Sequence, residues 1–306
     1  MTARPRIVVT GAHGQLGREL CAQLAPHAAV IALARADVDV GDADALRATL
    51  AALAPDVVVN AAAYTDVDRA ESERDRAFAV NATAPAVIAG HARANGTLVV
   101  HYSTDYVFDG SAHVPYDESA PTAPLNVYGA SKRAGEVALL DSGAAALVLR
   151  TSWVYGLAGR NFLLTIRRLA ATRDELRIVD DQWGVPNWTR ALAAATVRLV
   201  AGGLAPLRER AGLYHMSARG ATTWFAFARA IVGEVERPRV VPIASADYPT
   251  AARRPAYAVL DTRRFEQTFG FALPPWERSL ADCLADRAEP ASAAAVGCPP
   301  AEGNAR

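Results

Sequence analysis

The sequence predicts an α/β fold, a doubly wound parallel sheet followed by a smaller C-terminal substrate lobe. Three observations carry that expectation. Apolar, β-branched runs at 7–10, 30–34, 56–60, 97–102 and 146–150 alternate with helix-patterned segments at 15–24, 44–53, 84–95 and 127–140. The runs are nearly continuous in apolar residues, as strands covered on both faces should be. Three glycines fill the turn between the first run and the first helix. Strand and helix in strict alternation make the sheet parallel with helices on both sides, a Rossmann-like arrangement.

Each element has a local reason. The first strand runs into Gly11-Ala12-His13-Gly14-Gln15-Leu16-Gly17. Glycines there permit a tight turn and a close backbone approach, and the helix that follows offers free N–H groups and the positive end of its dipole. This predicts a dinucleotide held by Gly11, His13, Gly14, Gln15 and Leu16. The second strand ends at Arg35, about 20 residues after the glycines, where an adenosine ribose sits in such folds. An arginine suits a 2′-phosphate, so NADPH is expected ahead of NADH; the plain alternative is a solvated surface arginine. Asp39 and Val40 follow, with the carboxylate placed to accept from an adenine amino group. The third strand ends at Asn60-Ala61-Ala62-Ala63, whose small side chains leave room for a cofactor or allow close helix packing. Gly96 closes the third helix.

Ser103-Thr104-Asp105-Tyr106 closes the fourth strand. A hydroxyl at that sheet edge either polarises a substrate carbonyl or caps a turn. The next helix carries Tyr128-Gly129-Ala130-Ser131-Lys132, and Lys132 is the single lysine beside 31 arginines. Ammonium is a compact charge of tunable pKa, whereas guanidinium is a broad planar fork that stays charged. One lysine in an arginine-only chain therefore marks a place where arginine will not fit. Four residues apart on a helix, Tyr128 and Lys132 share a face. The ammonium, with an oxidised nicotinamide, is expected to lower the phenol pKa and make Tyr128 the proton donor to an alkoxide formed by hydride transfer.

Residues 1–150 are read as the dinucleotide-binding unit and 151–288 mainly as the substrate lobe, with a later segment free to return to the sheet. Helices are expected at 162–171, 189–200 and 222–233 and a short strand at 214–217. Residues 289–306, rich in Ala, Pro, Ser and Gly, read as a disordered tail. The bulk numbers narrow the partners. Of 306 residues 51% are apolar and the formal net charge is zero, with no basic run, which argues against nucleic acid. No apolar run reaches the roughly 18–20 residues that cross a bilayer. The start shows no signal-peptide pattern. Cys21, Cys283 and Cys298 are isolated and match no metal spacing. A cytoplasmic protein, monomer or homodimer, acting on a small molecule is expected.

Taken together these segments resemble the extended short-chain dehydrogenase/reductase family over most of residues 6–285. The resemblance rests on the glycine string, on Asn60-Ala61-Ala62-Ala63-Tyr64-Thr65-Asp66-Val67-Asp68, on Ser103-Thr104-Asp105-Tyr106-Val107-Phe108-Asp109-Gly110, on Pro124-Leu125-Asn126-Val127-Tyr128-Gly129 and on Arg150-Thr151-Ser152-Trp153-Val154-Tyr155. It implies a Thr104, Tyr128, Lys132 triad, substrate contacts from Thr104, Asp105, Tyr128 and Trp153, and cofactor contacts from Tyr102, Ala62, Ala63, Tyr64, Thr65, Tyr128 and Lys132. Within the family the strings are those of reductases of nucleotide-linked 4-keto sugars. The implied reaction is NADPH-dependent reduction of the C4 ketone of dTDP-4-dehydro-L-rhamnose to dTDP-L-rhamnose, the last step in making that sugar nucleotide. The alternatives are another dTDP-4-keto-6-deoxyhexose or a non-catalytic NADP-binding regulatory subunit, the latter disfavoured by the intact triad. Arg254 is the first choice to neutralise the substrate diphosphate. Some family members hold Mg2+ at a dimer interface, and the sequence places no ligands for it. Asn187, Tyr257 and Ala258 depart from the family pattern, which leaves the sugar identity more open than the cofactor half.

Overall fold

The computed structural model describes residues 4–234 and 237–286; the expected tail at 289–306 lies outside them. The first half follows β1 (Arg6–Thr10), α1 (Gln15–Leu24), β2 (Ala29–Leu33), α2 (Ala43–Leu53), β3 (Val57–Asn60), α3 (Val67–Ala70) and α4 (Arg74–Phe78). A π-turn at Ala79–Thr83 then leads into α5 (Ala84–Asn95), β4 (Leu98–Thr104), α6 (Val127–Leu140) and β5 (Ala146–Thr151). Caps fix the ends. Asp42 accepts from Asp44 N at 3.1 Å and Ala45 N at 3.0 Å to start α2, and α5 stops at Gly96 with φ 67°.

The second half is built from shorter pieces: β6 (Val154–Tyr155), α7 (Phe162–Ala170), β7 (Glu175–Val179), β8 (Trp183–Gly184), β9 (Asn187–Trp188), α8 (Thr189–Ala201) and α9 (Leu204–Glu209). They continue with β10 (Gly212–His215), β11 (Thr222–Thr223), α10 (Trp224–Val232), β12 (Arg239–Ile243), α11 (Arg263–Phe269) and α12 (Trp276–Ala285).

The main sheet runs β10-β5-β4-β3-β1-β2, with every pair parallel. Adjacent residues of one strand enter opposite cores. Ile7 and Val9 pack with Leu20 and Leu24 of α1, and Val8 packs with Leu46, Leu50 and Ile88 of α2 and α5. That alternation buries both faces, so the strands need apolar residues at every position. Strand β10 joins the sheet beside β5, and Leu192 and Leu199 of α8 belong to the same core as α1; the segment 189–215 thus returns to the first body. Helix α11 also returns, with Phe265 in the same core, and the other elements close a separate core around Tyr155, Leu163, Leu176, Phe227 and Trp276. There β7 pairs with β12, β8 with β11 and β6 with β9. Strand order reverses between β1 and β3, and a crevice opens at such a switch point, outside the carboxyl ends of the strands. Among the described residues, no helix is long and apolar enough to cross a membrane.

Candidate active site

The loops leaving β1 and β3 meet at the switch point. Gly11 has φ +67°, and a Cβ there would lie 2.8 Å from the Ala62 backbone; one on Gly17 would lie 2.1 Å from the Gly11 carbonyl. Only glycine lets the loop, α1 and the end of β3 come this close. Helix α1 begins at Gly14 with no side-chain cap, so its first N–H groups face the crevice unclaimed by side chains. A cavity of about 380 Å³ lies alongside, lined by Gly11, His13, Gly14, Arg35, Asp39, Val40, Ala62, Ala63 and Tyr64. Glycines that a Cβ would jam, uncapped helix N–H groups and a cavity at the switch point together fit a dinucleotide.

Other expected contacts are placed elsewhere. The Leu16 side chain packs against the sheet core. Gln15 reaches into the second half, donating to the Arg160 carbonyl at 3.2 Å and accepting from Asn161 Nδ2 at 2.7 Å. Thr65 is exposed and lines none of the cavities described here. Tyr102 needs correction: strand alternation sends its ring into the core, where its hydroxyl meets Thr196 Oγ1 at 2.6 Å. The Asp39 carboxylate, expected to meet an adenine, is held by Arg76 at 2.6 and 2.7 Å and by the Gly41 amide at 2.9 Å. These bonds pull its carboxyl below the usual carboxylate range. Arg35 stands 3.9 Å from Asp39 with its side chain 82% exposed. Arg69 and Arg76 line the same cavity and were missed, because nothing local in 67–78 announces a groove.

Tyr128 and Lys132 sit on α6, which is set against the end of β4. Asn126 caps the helix through the Gly129 amide at 2.8 Å and donates to the Arg253 carbonyl at 2.8 Å. A Cβ on Gly129 would lie 2.1 Å from the Tyr106 carbonyl; that close approach seats Tyr128 beside Thr104. Asn81, in the π-turn, was also missed. It brackets the Tyr64 backbone, accepting from N at 2.8 Å and donating to O at 3.0 Å, and donates to Ser131 Oγ at 3.0 Å. One buried amide therefore fixes the segment after β3 relative to α6.

Lys132 is buried, and its Nζ donates to the Tyr102 carbonyl at 2.6 Å with His101 Nε2 at 3.3 Å. Burial lowers its ammonium to about 8, and Glu136, one turn on, opposes the shift. Glu136 is itself held in a bidentate buried pair with Arg150 of β5, at 2.8 and 2.7 Å. Burial pushes the Tyr128 phenol up to about 12, with the Thr104 hydroxyl lowering it and the Asp105 charge raising it, so within the protein alone the ammonium does not bring the expected lowering. Desolvation outweighs the lysine, whose Nζ is aimed at β4. Thr104 Oγ1 donates to Asp105 Oδ1 at 2.9 Å and accepts from Tyr106 N at 3.1 Å. Asp105 is 2% exposed, its Oδ2 has no partner among the described residues, and burial raises its carboxyl to about 7.

A second cavity of about 750 Å³ is walled by Phe162, Ile166, Leu169 and Trp224, with Arg173, Arg177, Gln182 and Arg254 among its polar groups. Arg254 lies beside Tyr106 and pairs with Asp68 at 2.7 Å, and the Tyr106 ring meets Tyr128 edge-on at 5.7 Å. The cavity therefore connects to the Tyr128 region through two residues. Trp153, expected against the sugar, has φ +40° and stacks on Trp224 at 3.5 Å and 8°. A Cβ on Gly184 would lie 2.5 Å from that indole. Trp224, not Trp153, forms the aromatic wall of this cavity. Asn187 is buried and donates to the Ser152 and Val185 carbonyls at 2.8 and 3.0 Å while accepting from Ala218 N at 2.7 Å. Its departure from the family pattern thus serves the scaffold. No group of three or more metal-ligating side chains occurs among the described residues.

A glycine loop at the switch point of a doubly wound sheet, with a Tyr–Lys pair on the helix across its carboxyl edge, defines an extended short-chain dehydrogenase/reductase. The family model described as the RmlD substrate binding domain matches residues 5–289. The dTDP-4-dehydrorhamnose reductase of Burkholderia thailandensis is 45% identical over 296 residues, covering 92% of this chain and 98% of that one. The reductase of Escherichia coli K12 is 43% identical over 286 residues, covering 89% and 94%. A dTDP-4-dehydrorhamnose reductase from Bacillus anthracis, solved in complex with NADP, superimposes with a TM-score of 0.86 at 33% identity, covering 92% and 99%. The chain belongs to the dTDP-4-dehydrorhamnose reductase family.

Proposed function

We propose that this protein uses NADPH to reduce the C4 ketone of dTDP-4-dehydro-L-rhamnose, giving dTDP-L-rhamnose. The observation that carries the reading is the placement of Thr104, Tyr128 and Lys132 at one sheet edge, on the side of the sheet where the glycine loop lines a cavity, in a chain of this family. The loop Gly11–Gly14 and the first N–H groups of α1 would hold the pyrophosphate, with Arg35 at the ribose phosphate. When bound, the reduced nicotinamide supplies the hydride. Thr104, with its hydroxyl turned from Asp105 Oδ1 to the substrate, polarises the C4 oxygen, and Tyr128 donates its phenolic proton to it as C4 is reduced. A phenol held near 12 stays protonated at neutral pH and yields its proton only to a stronger base, which an alkoxide is. Lys132, with two of its N–H groups directed at β4, keeps a third for the ribose hydroxyls. Trp224 and Phe162 offer apolar surface to the nucleotide-sugar, and Arg254 adds positive charge for the diphosphate, part of it already matched by Asp68.

NADPH oxidation measured against dTDP-, UDP- and GDP-linked 4-keto sugars tests this. The dTDP ketone should be consumed far faster than the others, and Trp224→Ala should raise its KM roughly 10- to 100-fold, the loss of one well-packed aromatic contact. Absence of turnover on the dTDP ketone would reject the substrate.

A further inference from the structure

Four buried polar side chains run in a row under the carboxyl edge of the sheet. Thr10 donates its hydroxyl to Asn60 Oδ1 at 2.6 Å. Asn60 Nδ2 lies 2.9 Å from His101 Nδ1, and His101 Nε2 lies 3.3 Å from Lys132 Nζ. Strand register makes the row, since Thr10 is paired with Asn60 across β1 and β3, and Asn60 with His101 across β3 and β4. None of the four is more than 2% exposed. Polar groups in so apolar a sheet persist only when each finds a partner.

Both middle members are reversible. An amide presents either its oxygen or its nitrogen, and a neutral imidazole carries its proton on either ring nitrogen. With Asn60 donating to Nδ1, the proton of His101 sits on Nε2 and faces the lone pair of a neutral amine. With the Asn60 amide turned, Nδ1–H donates to its oxygen and a bare Nε2 accepts from the ammonium. The imidazole serves either charge of the lysine, with the Thr10 hydroxyl changing from donor to the amide oxygen into acceptor from the amide nitrogen.

We propose that Thr10, Asn60 and His101 are positioning residues that hold Lys132 Nζ in both of its charge states, so that the lysine gains or loses a proton without losing its partner on β4. The ionisable groups facing it are Tyr128 and Glu136 on its own helix, with Glu136 matched by Arg150 of β5, and His101 from β4. His101 is neutral, because burial and the Lys132 charge both hold its pKa well below the usual range. Charge-assisted hydrogen bonds are stronger than neutral ones, so removing the imidazole disfavours the ammonium more than the amine. The lysine pKa then falls.

The role assigned to Lys132 rests on the reductase reading, but the test does not. Because the chain has one lysine, isotope labelling of lysine Cε gives one side-chain resonance, whose titration reads Lys132 without turnover. His101→Met should lower the midpoint by about one pH unit or more. His101→Gln, whose amide turns either way, should stay within about half a unit of wild type. Thr10→Val, isosteric and two partners away, should give a smaller drop. The alkaline limb of the kcat profile should move with the midpoint. An unmoved midpoint in folded His101→Met overturns the proposal. Should that variant not fold, an unmoved midpoint in Thr10→Val overturns it. A wild type that titrates in this way yet reduces no ketone would defeat the proposed function and leave this inference standing.

Discussion

The wall that carries Tyr128 and Lys132 and the wall that faces the 750 Å³ cavity are built on different principles. The first is dense with buried polar groups, nearly all tied to strands of the main sheet: Lys132 to Tyr102 and His101, Asn81 to Tyr64, Arg150 to Glu136. The second is made of aromatic faces on α7 and α10 and arginines of β7 and the loops, with Trp224 packed on Trp153 and tilted against Phe162. Buried networks hold their heavy atoms in place even where a proton or an amide can reverse, so they fix geometry. Aromatic stacks and half-exposed arginines tolerate adjustment. On the function proposed above, chemistry is held by the sheet and recognition falls to a lobe that can vary without disturbing it.

The strongest way to break that contrast is Lys132→Arg. A guanidinium is broader than the ammonium, and the site leaves Lys132 only 2% exposed. Turnover should fall roughly 10²- to 10⁴-fold, the usual worth of a positioned proton-transfer group, with NADP affinity weakened by less than turnover and circular dichroism near wild type. Tyr128→Phe should lose a similar factor in kcat with cofactor affinity within about threefold. Near-wild-type turnover in Lys132→Arg would show that this wall is not as rigid as its bonds suggest.

The two walls were also unequally legible in the sequence. Helices α1, α5 and α6 begin and end where glycine turns, Gly96 and Asn126 say they should, because each boundary is a local event. Tyr128 and Lys132 were readable from helix spacing and the lone lysine. His101 and Asn60 were not, since they meet only through strand register, and the register of parallel strands leaves no local mark. Tyr102 was misplaced for a related reason: its neighbour in the sequence faces the opposite side of the sheet. In the second lobe, β7 and β12 pair in parallel across more than sixty residues, and a strand such as Glu175–Val179, with charges at two of five positions, does not advertise itself. Trp224 was read only as part of a helix, because the cavity it walls exists only after those strands pair.

Asp105 is an exception within this wall, where Ser103 Oγ and Thr151 Oγ1 are also buried without a partner among the described residues, and it sharpens the comparison. Its carboxyl is raised to about 7 by burial, with the Thr104 hydrogen bond pulling the other way. The unfolded chain loses this proton near the ordinary value of about 3.9. Between about pH 4 and pH 7 the folded state therefore binds the proton more tightly, and stability falls as pH rises through that window. Asp105→Asn removes the dependence. Relative to wild type it should gain roughly 2–4 kcal/mol at pH 8 and close to nothing at pH 4. Thermal unfolding at the two pH values checks this, and equal shifts at both would show that burial of the charge is not the cause.

The smallest effect is expected at the rim of the cofactor cavity, where neither principle applies in full. Arg35 is solvent-exposed and stands 3.9 Å from Asp39, so a 2′-phosphate there would be screened and would share the guanidinium with a carboxylate. A bidentate contact in a dry site could give a hundredfold preference for NADPH; exposed ion pairs typically give 0.2–1 kcal/mol. A three- to tenfold preference in kcat/KM is therefore expected, by an order-of-magnitude argument between those limits. Arg35→Ala should reduce it to about parity. Asp39→Asn should increase it about two- to fivefold, because the competing charge is gone while Arg76 stays in the same cavity. If Arg35→Ala leaves the preference intact and Arg76→Ala removes it, the phosphate is read from α4 and not from the end of β2. Selectivity would then come from the part-buried pair that holds Asp39, and the rim would belong with the rigid wall after all.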